Sequence, residues 1–379
     1  MNKLDELIQQ LCPNGVPYRR LGDIATICRG GSFQKKDFTE SGVPCIHYGQ
    51  IYTRYGLFVN ETITYIGEET AQKQKFAEPN DVVMAVTSEN IEDVCKCVAW
   101  LGDGKVAVSG HAAIIHHSMN PKYLVYWLHS SSFYQQKAKI ANGTKVIEVA
   151  PAKLSDVVLP VPPLEVQHEI VRILDTFTEL TAELTAELTA RKQQYAYYRD
   201  KLLAFGDDVP KDTLENLCDF QYGKGNSIPT APGEYPVYGC NGVVGTTNVF
   251  NSIDAPVIGH IGSAGIVNWG KGKHFVTYNG TICKVRPEKM ISRYAYHLLC
   301  SLHLERFVKG SQPFLSYSDF AKETVAVPPL NIQQRVVSIL DRFDTLCTDL
   351  SSGLPAEIEA RQKQYEYYRD KLLSFTPAD

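Results

Sequence analysis

The chain contains two copies of the same pattern. Residues 161–177, VPPLEVQHEIVRILDTF, and 327–343, VPPLNIQQRVVSILDRF, are identical at 10 of 17 positions. A second block follows each: residues 191–205, RKQQYAYYRDKLLAF, match 361–375, RQKQYEYYRDKLLSF, at 11 of 15 positions. The blocks are separated by 13 residues in the first copy and 17 in the second, a difference of about one helical turn. A weaker correspondence precedes each copy. Leu21, Ile24 and Gly30 align with Leu214, Leu217 and Gly223 at a constant offset of 193, and Asn142-Gly-Thr-Lys145 and Lys309-Gly-Ser-Gln312 hold matching places before the VPPL blocks. Self-similarity on this scale means that one structural unit is built twice. The expected organisation is a first mixed domain at 1–160, a long helix at 161–205, a second mixed domain at 206–326 and a second long helix at 327–379.

After Pro162-Pro163, apolar residues from Leu164 through Phe177, Leu184, Leu188 and Tyr198 to Leu202 recur mostly at steps of three and four, which predicts one long amphipathic helix ending before Gly206. About 40 residues at roughly 1.5 Å each span roughly 60 Å, too long for a neighbouring globular domain to cover, so a partner helix is needed. The second copy supplies it, with a break expected at Ser351-Ser-Gly-Leu-Pro355 unless Pro355 opens a fresh helix. The first helix also repeats Thr181-Ala-Glu-Leu184 as Thr185-Ala-Glu-Leu188. A four-residue unit keeps Leu on nearly one face, so the segment reads either as a solvated helix or as a spacer of adjustable length.

The two variable segments carry short apolar runs between turns: strands are expected at Val82–Val86, Val94–Trp100, Ala112–His116, Pro256–Gly259, Gly265–Trp269 and Thr281–Val285, and helices at Tyr123–Gln136 and Tyr294–Phe307. These are α/β domains rich in antiparallel hairpins. With 38 Lys+Arg against 42 Asp+Glu, the chain is not a polybasic protein that coats nucleic acid, and any DNA face is a local patch. Ten scattered cysteines match neither a disulfide scaffold nor a metal site. Alternation places Cys95 and Cys97 on one face of a strand as reduced core thiols, and His116-His117 reads as a surface or structural pair. With no apolar run long enough for a membrane helix and a polar beginning, the chain reads as cytoplasmic.

Several loops combine bases, amides, hydroxyls and aromatics, the set with which proteins position phosphates and read base edges. In the first domain the candidates are Arg29, Ser32, Gln34, Lys35 and Lys36; His47, Tyr48, Gln50 and Arg54; Ser88 and Asn90; and Lys145. In the second they are Lys224, Asn226 and Ser227; Tyr238 and Asn241; His260 and Ser263; Trp269, Lys271 and Lys273; and Lys309 and Gln312. Any one of these loops alone reads as an ordinary polar turn; their recurrence at matched places in both halves favours nucleic acid. Catalytic patterns are missing: there is no GxxxxGK[ST] phosphate loop, HExxH, GxSxG elbow or amino-methyltransferase tetrapeptide, and Gly259-His-Ile-Gly262 reads as a tight turn. No catalytic or metal-binding residue is assigned.

In its order of variable domain, VPPL-opened helix with TAEL units, KQQYxYYRDKLLxF end, second variable domain and VPPLNIQQR helix, the chain resembles the specificity (S) subunits of type I restriction-modification enzymes, over essentially its whole length and including the LCPNGVPYRRLGDI opening. The resemblance implies two tandem mixed α/β (α+β) target-recognition domains separated by two long antiparallel coiled-coil helices with pseudo-twofold symmetry. It further implies a non-catalytic subunit that reads one half of a bipartite, asymmetric double-stranded DNA target with each domain. The expected partners are DNA methyltransferase (modification) subunits, two of them, and restriction/translocase subunits; S-adenosylmethionine and ATP/Mg belong to those partners, and no cofactor to this chain. A coiled-coil scaffold without DNA specificity, kept open by the neutral charge of both variable segments, is the alternative, and a fused methyltransferase or nuclease is a third reading.

Overall fold

The computed structural model describes residues 3–225, 232–348 and 353–378. The chain divides into two compact units, Met1–Glu183 with Glu359–Asp379, and Leu184–Ile358. The division falls inside the TAEL repeat.

The first unit is built on two five-stranded sheets. One has the order Ala25–Arg29, Ala112–His117, Val82–Ala85, Cys97–Trp100 and Phe58–Val59, antiparallel except at its last pair. The other runs Phe38–Thr39, Tyr65–Ile66, Val43–Ile46, Val106–Val108 and Lys75–Ala77. Successive strand side chains point to opposite faces, and here both faces are covered. Val82, Met84, Cys97, Ala99, Ala113 and Ile115 join the cluster that includes Tyr123, Trp127 and Phe133, whereas Val83, Ala85, Val98, Trp100 and Ile114 pack with Ile46, Val106 and Val108. This two-sided burial is why the Val82–Val86 run is apolar at every position rather than at alternate ones.

The second unit has one six-stranded sheet in the order Cys218–Tyr222, Gly280–Val285, Ser252–Gly259, Val267–Val276, Tyr235–Gly239 and Gly242–Thr247. The helix Ser292–Ser301 packs Tyr294, Ala295, Leu298 and Leu299 into its core.

Several expected elements are redrawn. The strand expected from Val94 begins only at Cys97, because Cys95 sits in a turn with φ +67°; Cys95 and Cys97 therefore do not alternate along one strand, although both are buried. The helix expected over Tyr123–Gln136 is two: Pro121–Leu128, capped by Asn120, and Ser131–Ile140, whose cap Ser130 accepts the Phe133 N–H at 3.3 Å. Likewise Tyr294–Phe307 divides at His303, φ +50°, into Ser292–Ser301 and a 3-10 turn at Leu304–Phe307. The strands expected at Pro256–Gly259 and Gly265–Trp269 are longer, Ser252–Gly259 and Val267–Val276, which takes Gly270 to Lys273 into a bulged strand rather than a loop. All ten cysteines are free, and His116 pairs with Asp81 at 2.6 Å.

The first long helix runs from Leu164 to Leu203. The second copy forms two helices, Leu330–Thr348 and Leu354–Leu372, and Pro355 occupies the second position of the latter, where its missing N–H costs nothing. Ser351 and Ser352 of the expected break, and Leu350 of the helix expected before it, lie outside the described residues. Within the first unit Phe177 stacks on Tyr368, and within the second Tyr198 stacks on Phe343. The long helices pack together through these rings.

Each VPPL block fastens its helix to its own unit by the same device. Gln167 is buried, with Nε2 donating to the Pro162 carbonyl at 2.7 Å and Oε1 accepting the Asn120 N–H at 2.9 Å. Gln333, 166 residues later, donates to the Pro328 carbonyl at 2.8 Å and accepts the Ile291 N–H at 2.9 Å. Asp175 takes Lys122 Nζ at 2.6 Å and the Tyr126 hydroxyl at 2.7 Å, while its counterpart Asp341 takes Arg293 Nε at 2.6 Å and His297 Nε2 at 2.7 Å. Burial opposes ionisation of Asp341, but the His297 and Arg293 hydrogen bonds outweigh it and hold the carboxyl below the usual range.

Candidate nucleic-acid interface

The candidate loops hang on a frame that is the same in both units. Gly30 donates its N–H to Ala112 O at 2.9 Å and Gly31 donates to Val108 O; Gly223 donates to Gly280 O at 2.9 Å and Lys224 donates to Val276 O at 3.0 Å. A Cβ on Gly30 would lie 2.3 Å from Ser109 O, and one on Gly223 would lie 2.1 Å from Thr277 O, so neither backbone can approach its neighbour with any other residue. The segments at matching places before the VPPL blocks also correspond, and both are hairpins. Asn142 and Glu148 exchange both backbone hydrogen bonds, as do Lys309 and Phe314, and Gly143 and Gly310 turn the chain at φ +117° and +82°.

In the first unit, Ser32, Gln34, Lys35 and Lys36 are exposed in one short stretch. The Ser32 N–H donates to Gln74 Oε1 at 2.7 Å, and the Gln34 N–H donates to Asp37 Oδ2 at 2.7 Å to open the 3-10 turn Lys35–Asp37. Arg29, at the end of its strand, pairs with Glu148. The segment after His47 is the helix Tyr48–Thr53 rather than a loop, with Arg54 exposed at its C-cap. His47 and Gln50 are buried and committed to the helix start: the Gly49 N–H donates to His47 Nδ1 at 3.2 Å, the His47 N–H donates to Gln50 Oε1 at 2.8 Å, and Gln50 Nε2 donates to Thr64 Oγ1 at 2.9 Å. Burial, then the charges of Lys35 and His111, push His47 below its ordinary pKa, which keeps Nδ1 available as an acceptor. Tyr48, Ser88 and Asn90 meet at one cavity of about 490 Å³, which Tyr52, Asp93 and Val146 also line. Asn90 is oriented there by two hydrogen bonds with Asp93, at 2.8 and 2.7 Å. Lys145 is exposed on the hairpin beside Val146.

In the second unit, Asn226 and Ser227 lie outside the described residues; Lys224, just before them, is exposed. Asn241 is exposed in a turn, Ser263 is half-buried, and Tyr238 is buried with its hydroxyl donating to Trp269 O at 3.1 Å. Trp269 is half-buried with the Arg293 guanidinium 4.9 Å from its ring centroid. Lys271 and Lys273 project from the bulged strand, where the Gly272 N–H donates to Asp254 Oδ1 at 2.7 Å, and Lys273 Nζ lies 5.0 Å from the Phe250 ring centroid. His260 is almost fully buried; its Nδ1 is 2.6 Å from Leu315 O, and the rings of Tyr222 and Phe314 lie 4.2 and 4.7 Å away. Lys309 pairs with Asp319 at 2.6 Å and Gln312 is exposed on the same hairpin.

The partly exposed aromatic side chains Tyr278 and Phe314, both beside His260, are additional members of these surfaces. Nothing local in the sequence marks Phe314; it becomes visible only when its backbone pairing is matched to that of Glu148. Among the described residues, no group of three or more His, Cys, Asp or Glu side chains is placed to hold a metal ion, and no helix is long and apolar enough to cross a membrane.

The family model for the type I restriction modification DNA specificity domain matches residues 13–191 and again 208–360. The chain is 37% identical over 290 residues to the type I restriction enzyme EcoR124I/EcoR124II specificity subunit of Escherichia coli, a span covering 67% of this chain and 70% of that one. It is 29% identical over 315 residues to the type I restriction enzyme MpnII specificity subunit of Mycoplasma pneumoniae, covering 62% of this chain and 94% of the relative. Among solved structures, the fold is similar to the type I restriction-modification S subunit of M. genitalium, with a TM-score of 0.57, 17% identity and coverage of 95% and 96%. A chain from a study of type I system assembly and conformational transition gives a TM-score of 0.60, with 17% identity and coverage of 95% and 98%.

Proposed function

The chain belongs to the specificity subunits of type I restriction-modification systems, and from that premise we propose that its domains at 1–160 and 206–326 each read one half of an asymmetric, bipartite DNA target. As such a subunit it is the non-catalytic, DNA-recognising component of a type I complex and carries two target-recognition domains. One observation carries the finer reading: the frame around Gly30 and Gly223 is repeated bond for bond, while the side chains mounted on it differ between the units. A common frame with different surface chemistry suits two unrelated half-sites, because phosphate contacts can be shared but base edges must be read individually.

The long helices, antiparallel in this reading, hold the two domains at a set separation, so the spacer between half-sites has a fixed length and an unread sequence. Two methyltransferase subunits dock on the helices and bring S-adenosylmethionine; restriction subunits bring ATP and Mg. Base methylation requires the target base to leave the stack for a pocket in the methyltransferase, so this chain selects the site and its partners perform the chemistry, in the cytoplasm where the DNA is.

Sequencing of methylated genomic motifs, with and without this gene, tests the proposal. Loss of one bipartite motif on deletion supports it; an unchanged methylation pattern contradicts it.

A further inference from the structure

Arg29 and Tyr222 stand at the same place in the two copies. Each ends the strand that leads into the Gly30 or Gly223 turn, 193 residues apart. Glu148 and Phe314 are matched in the same way, since Glu148 exchanges its backbone hydrogen bonds with Asn142 and Phe314 with Lys309. In the first unit these two positions meet directly, and in the second both meet His260.

Framework positions retain their chemistry from copy to copy: Gln167 and Gln333 make the same bonds, and Asp175 and Asp341 both take a base and a second donor. At the strand-end position the chemistry inverts. Arg29 and Glu148 form an ion pair whose side chains are 43% and 45% exposed. Tyr222 and Phe314 instead both pack on His260, with the Tyr222 hydroxyl 3.0 Å from Ser316 Oγ and Phe314 still 39% exposed. A frame duplicated to read two different sequences must keep its supports and change its reading groups. A matched pair of positions of opposite chemistry, whose hairpin members Glu148 and Phe314 are exposed or partly so and share their hairpins with Lys145 and Gln312, has that character.

We propose that this matched pair of positions determines specificity in each domain, through its strand-end member Arg29 in the first unit and its hairpin member Phe314 in the second. Arg29 takes a guanine edge by bidentate hydrogen bonds in one half-site, and Phe314 packs against a thymine methyl in the other. The inference rests on the reading of both units as DNA-recognition domains. Glu148 is a positioning residue: it aims the guanidinium in the free protein, and an exposed ion pair is weak enough to yield to a base. In the second unit the buried His260 packs against Phe314 and supports it.

The test is motif sequencing of methylated genomic DNA from cells carrying the complete system with Arg29→Gln, Arg29→Lys, Glu148→Gln or Phe314→Ala. Arg29→Gln is expected to relax one G·C pair of one half-site by about 10- to 100-fold, leaving the other half-site as stringent as before. Arg29→Lys keeps the charge but loses the fork, and relaxes the same pair; Glu148→Gln relaxes it more weakly. Phe314→Ala relaxes an A·T pair of the opposite half-site only. The proposal is overturned if Arg29→Lys retains full stringency, if Arg29→Gln lowers methylation equally at every site without relaxing any base, or if Phe314→Ala leaves its half-site unchanged. Should a variant abolish methylation altogether, Arg29→Lys and Glu148→Gln still decide the question, because both retain the size and polarity of the surface. Failure of the underlying reading looks different: deletion of the wild-type gene would then remove no bipartite motif.

Discussion

The ring of Phe177 lies over that of Tyr368, with centroids 5.4 Å apart and planes 21° from parallel. In the other unit Tyr198 and Phe343 repeat the contact at 5.8 Å and 22°. Phe177 and Phe343 are the last residues of the VPPL blocks, and Tyr198 and Tyr368 belong to the YYRDKLL blocks, so the two blocks recognise each other. The duplicated sequence is thus a self-complementary pair of surfaces, and each compact unit contains one copy of the match. Phe177→Ala and Phe343→Ala should each destabilise their unit by about 1–3 kcal/mol, since a half-buried aromatic and its offset-stacked partner lose contact. Chemical denaturation should show the two substitutions to be comparable in size; an effect confined to one of them would contradict the equivalence.

The turn glycines offer a sharper comparison. A methyl group at Gly223 would meet the Thr277 and Val276 carbonyl oxygens at 2.1 and 2.4 Å, whereas Gly104 has nothing within 4 Å. Backbone atoms cannot swing aside as a side chain can. Gly223→Ala should therefore cost at least about 1–3 kcal/mol, and Gly104→Ala less than about 0.5 kcal/mol, as read from thermal or denaturant melting. Gly30→Ala should match Gly223→Ala.

Leu180, Leu184 and Leu188 are all half-buried, while Glu183 and Glu187 are exposed. Deleting Thr181–Leu184 therefore moves Leu188 into the place of Leu184 and keeps the apolar stripe. The helix shortens by about 6 Å and turns by about 40°, close to the roughly 34° of one base pair. The preferred spacer should shorten by about one base pair with both half-sites intact. Methylation mapping that returned an unaltered spacer, or new half-sites, would refute the spacer role.

The legible parts of the fold were those governed by period and duplication. The helix Leu164–Leu203 follows from its apolar spacing, and the fresh start near Pro355 from the residue's missing N–H. The correspondence of the Asn142 and Lys309 segments follows from the matched Gly that each contains, though their hairpin pairing does not. What escaped was set by single backbone conformations: Cys95 and His303 adopt positive φ, which no propensity of Cys or His foretells. The Lys271–Lys273 stretch looked like a loop because two glycines flank its bases, yet the Asp254 carboxylate holds it as a bulge in a strand. Among the site candidates, His47, Gln50 and His260 have the residue types of base readers, but tertiary packing turns them inward to cap a helix or support aromatic rings. Polar residue type alone cannot distinguish a cap from a contact.

Acid should weaken the first unit before its carboxylates titrate. Burial, partly offset by the Val125 carbonyl and reinforced by Arg369 and Lys137, pushes His129 down to about 4, and burial pushes His117 to about 4 as well. Unfolding releases both to the ordinary value near 6.5. Between about pH 6.5 and 4 the unfolded chain therefore binds more protons than the folded one, so stability is complete above that window and falls as pH drops through it. Glu169 behaves differently: Arg172, with Lys3, holds its carboxyl at about 2, so its contribution is lost only from about pH 4.5 downward. Tm measured on the full chain should be level above pH 6.5 and fall by several degrees by pH 4.5. The double substitution His117→Asn, His129→Asn should flatten that slope, even if it lowers Tm at pH 7. A slope equal to that of the wild-type chain would show that these two imidazoles are not the groups being protonated.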